Sequence, residues 1–449
     1  DIQYMGQVAP VQLPAELDGY NIRRGFWETS DLMYRFSLQV MARKIAHLKS
    51  NPLPPAEAAV PDMQQLPAVT KMVERPRPFE VDLAALEGMV KELSALFKDY
   101  KELFNSNVML VAVEQDNFRL TSENVRLKFP LGLVGLTVSA SVRTTDGSTV
   151  SDVLAISSLE NPADLPSLEE LKKKVTDFAD NLMELKETPM IEEYYTGPVL
   201  FEEGAASRLF TDNLLSPGRL LALRTMAPAR GMLDEQLGRK IMDSRLTVKN
   251  YTMLVEYDGT PLFGHYEIDG DGVVPAAELT LVENGVFKRM LNGRVPTLKA
   301  PESTGSARFM ISPDNPVAIV SPGTIHVQTS KSVAPEKLKK ALLKAAKEAD
   351  LEYAYIVRRI GGEASAVYKV NVKDGKETRV RVNNLSAPEL TKLMDLKGIS
   401  SDERVMNYFP NGVPASLIYP SAIIVGDVEI NRTTPKIEEV PVLKHPLQR

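Results

Sequence analysis

The segment Gly197-Pro-Val-Leu-Phe-Glu-Glu-Gly-Ala-Ala-Ser-Arg-Leu-Phe210 constrains this chain more than any other. An apolar run that ends on paired carboxylates and passes into an Ala-rich stretch predicts a buried strand turning straight into a helix. Glu202 and Glu203 then stand at the helix start, where carboxylates complement the positive end of the helix dipole. No histidine lies within the segment.

Around it the order of elements is α+β, without the strict alternation of a doubly wound sheet. Pro10, Pro14 and Gly25 make residues 1–28 irregular. Thr29 or Ser30 then caps a helix to about residue 48, and the Pro- and Ala-rich stretch 51–78 reads as a linker or extended arm. Apolar spacing predicts a helix over 81–104 and strands over 108–113, 133–143 and 150–156, the last two joined at Asp146-Gly147. Ser167 and Glu170 are spaced as a capping box for a helix running to about Lys186. A domain boundary follows near Thr188, which divides the chain into residues 1–188 and a strand-rich part, 189–449. In the second part strands are expected over 251–255, 277–282, 286–291, 353–359, 366–372, 378–382 and 420–430, with helices over 334–350 and 388–394.

Composition narrows the function classes. At 449 residues there is room for two or three domains and ample core. The net charge is −6, with Lys and Arg spread along the whole length, so no basic stripe offers itself to nucleic acid. No apolar run reaches the roughly 18 residues that a transmembrane helix needs. The absence of cysteine rules out disulfides, thiolate zinc sites and cysteine nucleophiles. It fits cytosol and periplasm equally. The chain begins Asp1-Ile-Gln-Tyr, which reads as a trimmed or processed start.

Three later stretches complete a pattern with the first segment. They are Gly259-Thr-Pro-Leu-Phe-Gly-His-Tyr-Glu-Ile-Asp-Gly-Asp-Gly272, Leu281-Val-Glu-Asn-Gly-Val-Phe-Lys288 and Glu302-Ser-Thr-Gly-Ser-Ala-Arg308. In this order they resemble the carboxyl-terminal half of the TldD/PmbA family, once called modulators of DNA gyrase. The resemblance covers roughly residues 105–430 and is strongest over 197–309. It implies a TldD/PmbA-like two-domain α+β architecture, of which the first strands are missing here, and a cytoplasmic location by family habit or a periplasmic one if an export signal was removed.

In the TldD branch the first segment carries His-Glu-x-x-x-His and binds the zinc of a metallopeptidase. The matching positions here are Phe201, Glu202 and Ala206. The family's third ligand is a cysteine in a loop matching residues 405–412, and this chain has none. His47, His265, His326 and His445 are too dispersed to form a local motif. The resemblance therefore implies no metal or other cofactor. It points to the PmbA (TldE) branch, which lacks the zinc motif and pairs with TldD. Glu202 and Glu203 read either as a retained general base or as a helix start.

The remaining polar motifs carry two readings each. His265 and Glu267, beside Asp269-Gly270-Asp271-Gly272, read as a surface turn or as a peptide contact near the family's cleft; the spacing fails as a calcium loop, since its twelfth position is Thr280. Ser303, Thr304 and Arg308 suit a loop that holds a peptide carbonyl or carboxylate. An extended peptide would add along a strand edge at 278–291, with Arg308 as its anchor. The lysines of 331–347 read as the solvated face of a half-buried helix. Taken together, the expectation is a zinc-less, peptide-binding or regulatory subunit in proteolysis, as a homodimer or with a TldD-like paralogue, binding unfolded or extended peptides. The alternatives are a peptidase or hydrolase with a site rebuilt from Glu202, His265 and Glu267, and a scaffold that has lost peptide recognition.

Overall fold

A computed structural model describes residues 18–431, apart from 76–77, 160, 225–231, 312–316, 362–363 and 383–384. Residues 1–17 and His445 thus lie outside the described residues. Helix α1 (Gly19–Ser50) opens on Asp18, whose carboxylate accepts from the Tyr20 and Asn21 amides at 2.8 and 2.9 Å. This cap corrects the expected start at Thr29 or Ser30. Thr29 Oγ1 instead bonds back to the Gly25 carbonyl at 2.7 Å, as hydroxyls inside helices do. Gly25 is buried within α1 and does not break it.

The arm over 51–78 contains two short elements, α2 (Pro55–Ala58) and β1 (Val69–Met72). Helix α3 (Leu83–Ala95) passes through a 3-10 turn into β2 (Leu103–Leu120). The helix expected over 81–104 is therefore shorter. Phe97 and Leu103 face one core from different elements, so a spacing that reads as a single helix serves a helix and a strand. Strands β3 (Val125–Arg143) and β4 (Thr149–Ser158) follow, then α4 (Leu168–Glu187), which opens on the Ser167/Glu170 capping box that the spacing predicts. β3 pairs antiparallel with β2 along one edge; its other edge takes β4 antiparallel and β1 parallel. Leu93 of α3, Leu136 and Val138 of β3, and Leu171, Val175 and Leu182 of α4 form the core of this part.

The later elements are β5 (Tyr195–Glu202), α5 (Glu203–Leu214), β6 (Leu246–Tyr251), β7 (Glu256–Tyr257), β8 (Thr260–Pro261), β9 (Glu278–Glu283), β10 (Val286–Phe287), β11 (Ala307–Phe309) and β12 (Ala318–Val320). Then come β13 (Thr324–Thr329), α6 (Pro335–Glu348), β14 (Tyr353–Arg359), β15 (Ala366–Asn371), β16 (Glu377–Val380), β17 (Leu396–Ile399), β18 (Glu403–Tyr408), β19 (Ala415–Pro420) and β20 (Ala422–Ile430). Two six-stranded mixed sheets result, in the orders β16-β15-β14-β5-β20-β17 and β10-β9-β6-β13-β19-β18. The mixed α+β class is as expected.

Several strands differ from the apolar runs that predict them. A strand over 251–255 is not formed, because Leu246 and Val248 alternate into the core while Val255 is 60% exposed. β10 stops at Phe287, because the Lys288 and Arg289 amides both turn back to the Leu281 carbonyl, at 2.8 and 3.2 Å. The helix over 388–394 is a 3-10 turn at Leu390–Met394. The run 420–430 divides at Ser421, where the chain leaves one sheet for the other.

The two sheets share one core, and α5 contributes to it. Ala205, Ala206, Leu209 and Phe210 of α5 meet Val199 and Phe201 of β5, Val248 of β6, Ile325 of β13 and Leu417 of β19. On the opposite face of β5, Leu200 packs with Leu338 and Leu342 of α6. β5, the strand of the segment that dominates the sequence, is thus packed on both faces, while α5 buries one face. Removing a ring such as that of Phe201 from water contributes about 1.5–3 kcal/mol.

Candidate functional site

At the end of β5 the backbone turns sharply. Glu203 adopts φ 51°, a left-handed conformation unusual for a non-glycine residue, and its amide donates to the Ser421 carbonyl at 2.9 Å. The alternation of the strand sends Phe201 into the shared core and Glu202 to the α6 side. Phe201 and Ala206 are both fully buried. Glu202 accepts from Arg358 Nε at 3.0 Å, and Arg358 Nη2 donates to Glu377 at 2.9 Å while its guanidinium lies over the Tyr368 ring. Lys339 of α6 closes the chain of charges on Glu377 at 2.6 Å. Burial works against the charge on Arg358, but Glu202 and Glu377 outweigh it and raise its pKa.

The other candidates gather in the loops between β8 and β11. His265 is exposed, and Glu267 accepts from Lys71 of β1 at 2.6 Å. That ion pair holds the Glu267 carboxyl below its usual range. The neighbouring Asp269-Gly-Asp-Gly stretch is buried, which corrects its reading as a surface turn: Asp269 and Asp271 are 1% and 7% exposed. Asp269 accepts from the Asp271, Val273 and Ala307 amides at 3.0, 2.8 and 3.0 Å and so staples this loop to β11. Burial pushes its carboxyl up to about 6 against those donors.

Ser303 and Thr304 fold onto Asn292. Thr304 Oγ1 accepts from the Asn292 amide at 2.7 Å and donates to its carbonyl at 3.0 Å, and Ser303 Oγ accepts from the Gly305 amide at 3.1 Å. Gly305 adopts φ 68°, and its carbonyl accepts from Tyr266 Oη at 2.8 Å. Arg308 lies inside this packing. Its Nη1 donates to the Pro322 and Pro414 carbonyls at 2.7 and 2.6 Å, and the guanidinium stacks on Tyr266 at 4.4 Å. Burial draws its pKa down to about 10. Along the expected peptide edge at 278–291, β9 pairs with β6 on one side, and on its other side β10 pairs with Val282 and Glu283 alone.

The structure does not bring Glu202 together with His265 and Glu267. Among the described residues no group of three or more His, Asp or Glu side chains could hold a metal ion. Two arrangements escape sequence reasoning. His326 Nε2 lies 3.0 Å from Glu403 Oε1, and Tyr257 donates to the same carboxylate. Arg294, 8% exposed, donates to Glu123 at 2.7 and 3.0 Å across the two halves of the chain. No local spacing signals either pair, since the partners are 77 and 171 residues apart.

The profile of the PmbA/TldA metallopeptidase C-terminal domain matches residues 195–432, from the first residue of β5 to just beyond β20. The chain belongs to the PmbA/TldD metallopeptidase family. TldE from Thermococcus kodakarensis is similar over 85% of this chain and 81% of its own, at 16% identity and a TM-score of 0.51. A putative modulator of a DNA gyrase from Thermotoga maritima MSB8 is similar over 83% of this chain and 81% of its own, at 14% identity and a TM-score of 0.53. At such identities the likeness is one of fold. No curated protein matches.

The positions that the resemblance matches to the family's zinc motif do not suit the metal. Phe201 and Ala206 carry no donor atom and are sealed in the core, while the Glu202 carboxylate is held by Arg358. Catalytic zinc takes three protein ligands and an open position. This strand–helix junction provides neither the ligands nor the opening.

Proposed function

We propose that this chain is a non-catalytic, peptide-binding subunit that acts in proteolysis beside a family relative bearing an intact His-Glu-x-x-x-His segment. The observation that carries this reading is the state of the three motif positions: two apolar side chains fully buried, and a glutamate held in an ion pair. A general base needs a free carboxylate near its water, and Glu202 is engaged by a cation instead. The fold likeness to a TldE adds support.

On this reading, peptide contact belongs to the loops of His265, Glu267, Ser303 and Thr304, with Arg308 as a positioning residue behind them. The test is metal analysis and peptidase assay of the purified chain, alone and mixed with a relative that carries the zinc segment. The expected result is no stoichiometric zinc and no cleavage alone, with a stable complex on gel filtration of the mixture. Stoichiometric zinc with chelator-sensitive cleavage by the chain alone would falsify the reading.

A further inference from the structure

Between α2 and β1 the chain runs as a strap over residues 59–68, and this strap touches the loop of Ser303 in the manner of a bound peptide. The Gln64 amide donates to the Arg294 carbonyl at 2.8 Å. Its carbonyl accepts from Arg294 Nη2 and Nε at 2.6 and 3.2 Å. The carboxamide is read at both ends: Oε1 accepts from the Ser303 amide at 3.0 Å, and Nε2 donates to the Pro301 carbonyl. Upstream, the Val60 and Pro61 carbonyls accept from Arg224, and Asp62 pairs with Lys44 and Arg224.

The receiving groups have contacts of their own beside those to the strap, whose Leu66 amide also donates to Glu123 at 3.4 Å. Arg294 is nine-tenths buried, Glu123 grips its guanidinium, and its amide donates to Asp271 Oδ2 at 3.3 Å. Thr304 and Asn292 hold the loop that presents the Ser303 amide. The strap's apolar packing centres on Leu66, which lies against Val125, Leu127 and Ile268; Met63 is 52% exposed, and Pro61, Gln65 and Pro67 are exposed as well. Main-chain bonds plus one side-chain reader are how extended peptides are recognised. Pro61 and Pro67 fix φ at two positions of the strap and lower the ordering cost.

We propose that this strap is an internal ligand seated in an extended-peptide site, and that the site accepts in trans a peptide with glutamine at the Gln64 position. The proposal rests on the reading that this chain binds peptides. It adds the residue class that is recognised and an intrachain competitor. A tethered segment competes at roughly millimolar effective concentration, so the full chain masks its own site.

The test uses the full-length chain and a fluorescent decapeptide with the sequence of residues 59–68, beside a second decapeptide with alanine in place of the glutamine. Gln64→Ala removes both carboxamide bonds of the strap and leaves Arg294 and Ser303 in place. The expected result is weak binding of either peptide by the unaltered chain. The Gln64→Ala chain should bind the glutamine peptide at least tenfold more tightly than the unaltered chain does, and at least tenfold more tightly than it binds the alanine peptide. Equal affinity of the variant for both peptides, or no gain over the unaltered chain, overturns the proposal. An unrelated unfolded peptide without glutamine separates the two readings: if the variant binds it but not the strap sequence, the inference alone fails, and if it binds neither, both fail. Should Gln64→Ala not fold, Asp62→Ala loosens the strap at an exposed position, and the same gain for the glutamine peptide is required of it.

Discussion

Arg358 Nε and Glu202 Oε2 meet at 3.0 Å where two parallel strands, β14 and β5, end side by side. The register that pairs Val357 with Phe201 sets the next residue of each strand beside the other, so a strand pairing has become an ion pair. Glu377 shares the same guanidinium. Removing the cation leaves two half-buried carboxylates adjacent. Arg358→Met is expected to destabilise the fold by about 1–3 kcal/mol in urea denaturation, the range for leaving a buried polar group without its partner. Arg358→Lys should recover only part of it, because an ammonium lacks the planar fork that reaches both carboxylates while lying over the Tyr368 ring. An unchanged midpoint for both variants would show that the pair contributes nothing.

The same junction predicts the fate of an attempt to rebuild zinc chemistry. Phe201→His combined with Ala206→His puts imidazoles into a core with no accessible surface at either position. The first exchanges a packed ring for a polar one, and the second overfills a site sized for a methyl group, at about 1–3 kcal/mol. Lower stability without stoichiometric zinc is the expected result, by thermal melts and metal analysis. Tight zinc binding with an unaltered melting temperature would contradict this account of the packing.

The parts of this fold that were legible in the sequence are those with local causes. Ser167 and Glu170 announce α4 because a capping box is complete within four residues. Glu283-Asn284-Gly285 announces the β9–β10 turn because Asn284 and Gly285 both take positive φ there. The start of α1 was hidden because its cap, Asp18, follows a proline-rich stretch with no periodicity. The length of β2 and β3 was hidden because the outer half of β2 holds the polar run 114–117, that of β3 alternates apolar with charged residues, and the two pair mainly with each other. At the candidate site the family motifs located the loops, but their state depends on distant partners. Arg358 lies 156 residues from Glu202, and Gln64 lies 239 residues from Ser303. Burial of Arg308 is likewise a product of tertiary packing that no spacing encodes.

Acid should loosen the join between β6 and β17. Burial opposes ionisation of Asp243, but donation from Arg245 and from the Arg245 and Leu396 amides outweighs it and brings the carboxyl down to about 2. A carboxyl whose folded pKa lies below its unfolded value of 3.8 contributes stability above that value and loses it as pH falls toward 2. The contribution of this one group is about 2 kcal/mol. Asp243→Asn is expected to lower stability at pH 7 and to flatten the decline between pH 4 and pH 2, measured as urea midpoints across that window. A variant whose decline is as steep as that of the unaltered chain would assign the acid lability elsewhere.

Arg308 tests whether a conspicuous arginine in a family loop binds peptide or holds the loop. Its Nη1 bridges the Pro322 and Pro414 carbonyls, which precede β13 and β19, and its plane covers Tyr266. Arg308→Ala would leave both carbonyls buried without a donor and open a void against the ring. Each lost partner costs about 1–3 kcal/mol, and in a chain of this size a few kcal/mol corresponds to a fall of roughly 2–5 °C. The expected outcome is therefore a lower melting temperature by calorimetry. Below that temperature the affinity for extended peptides should change less than tenfold, because the guanidinium faces inward. Arg308→Lys should recover little, since one ammonium cannot both stack on Tyr266 and reach two carbonyls in a plane. The opposite pattern, an unaltered melt with peptide binding abolished, would move Arg308 from the support of the loop to its binding surface.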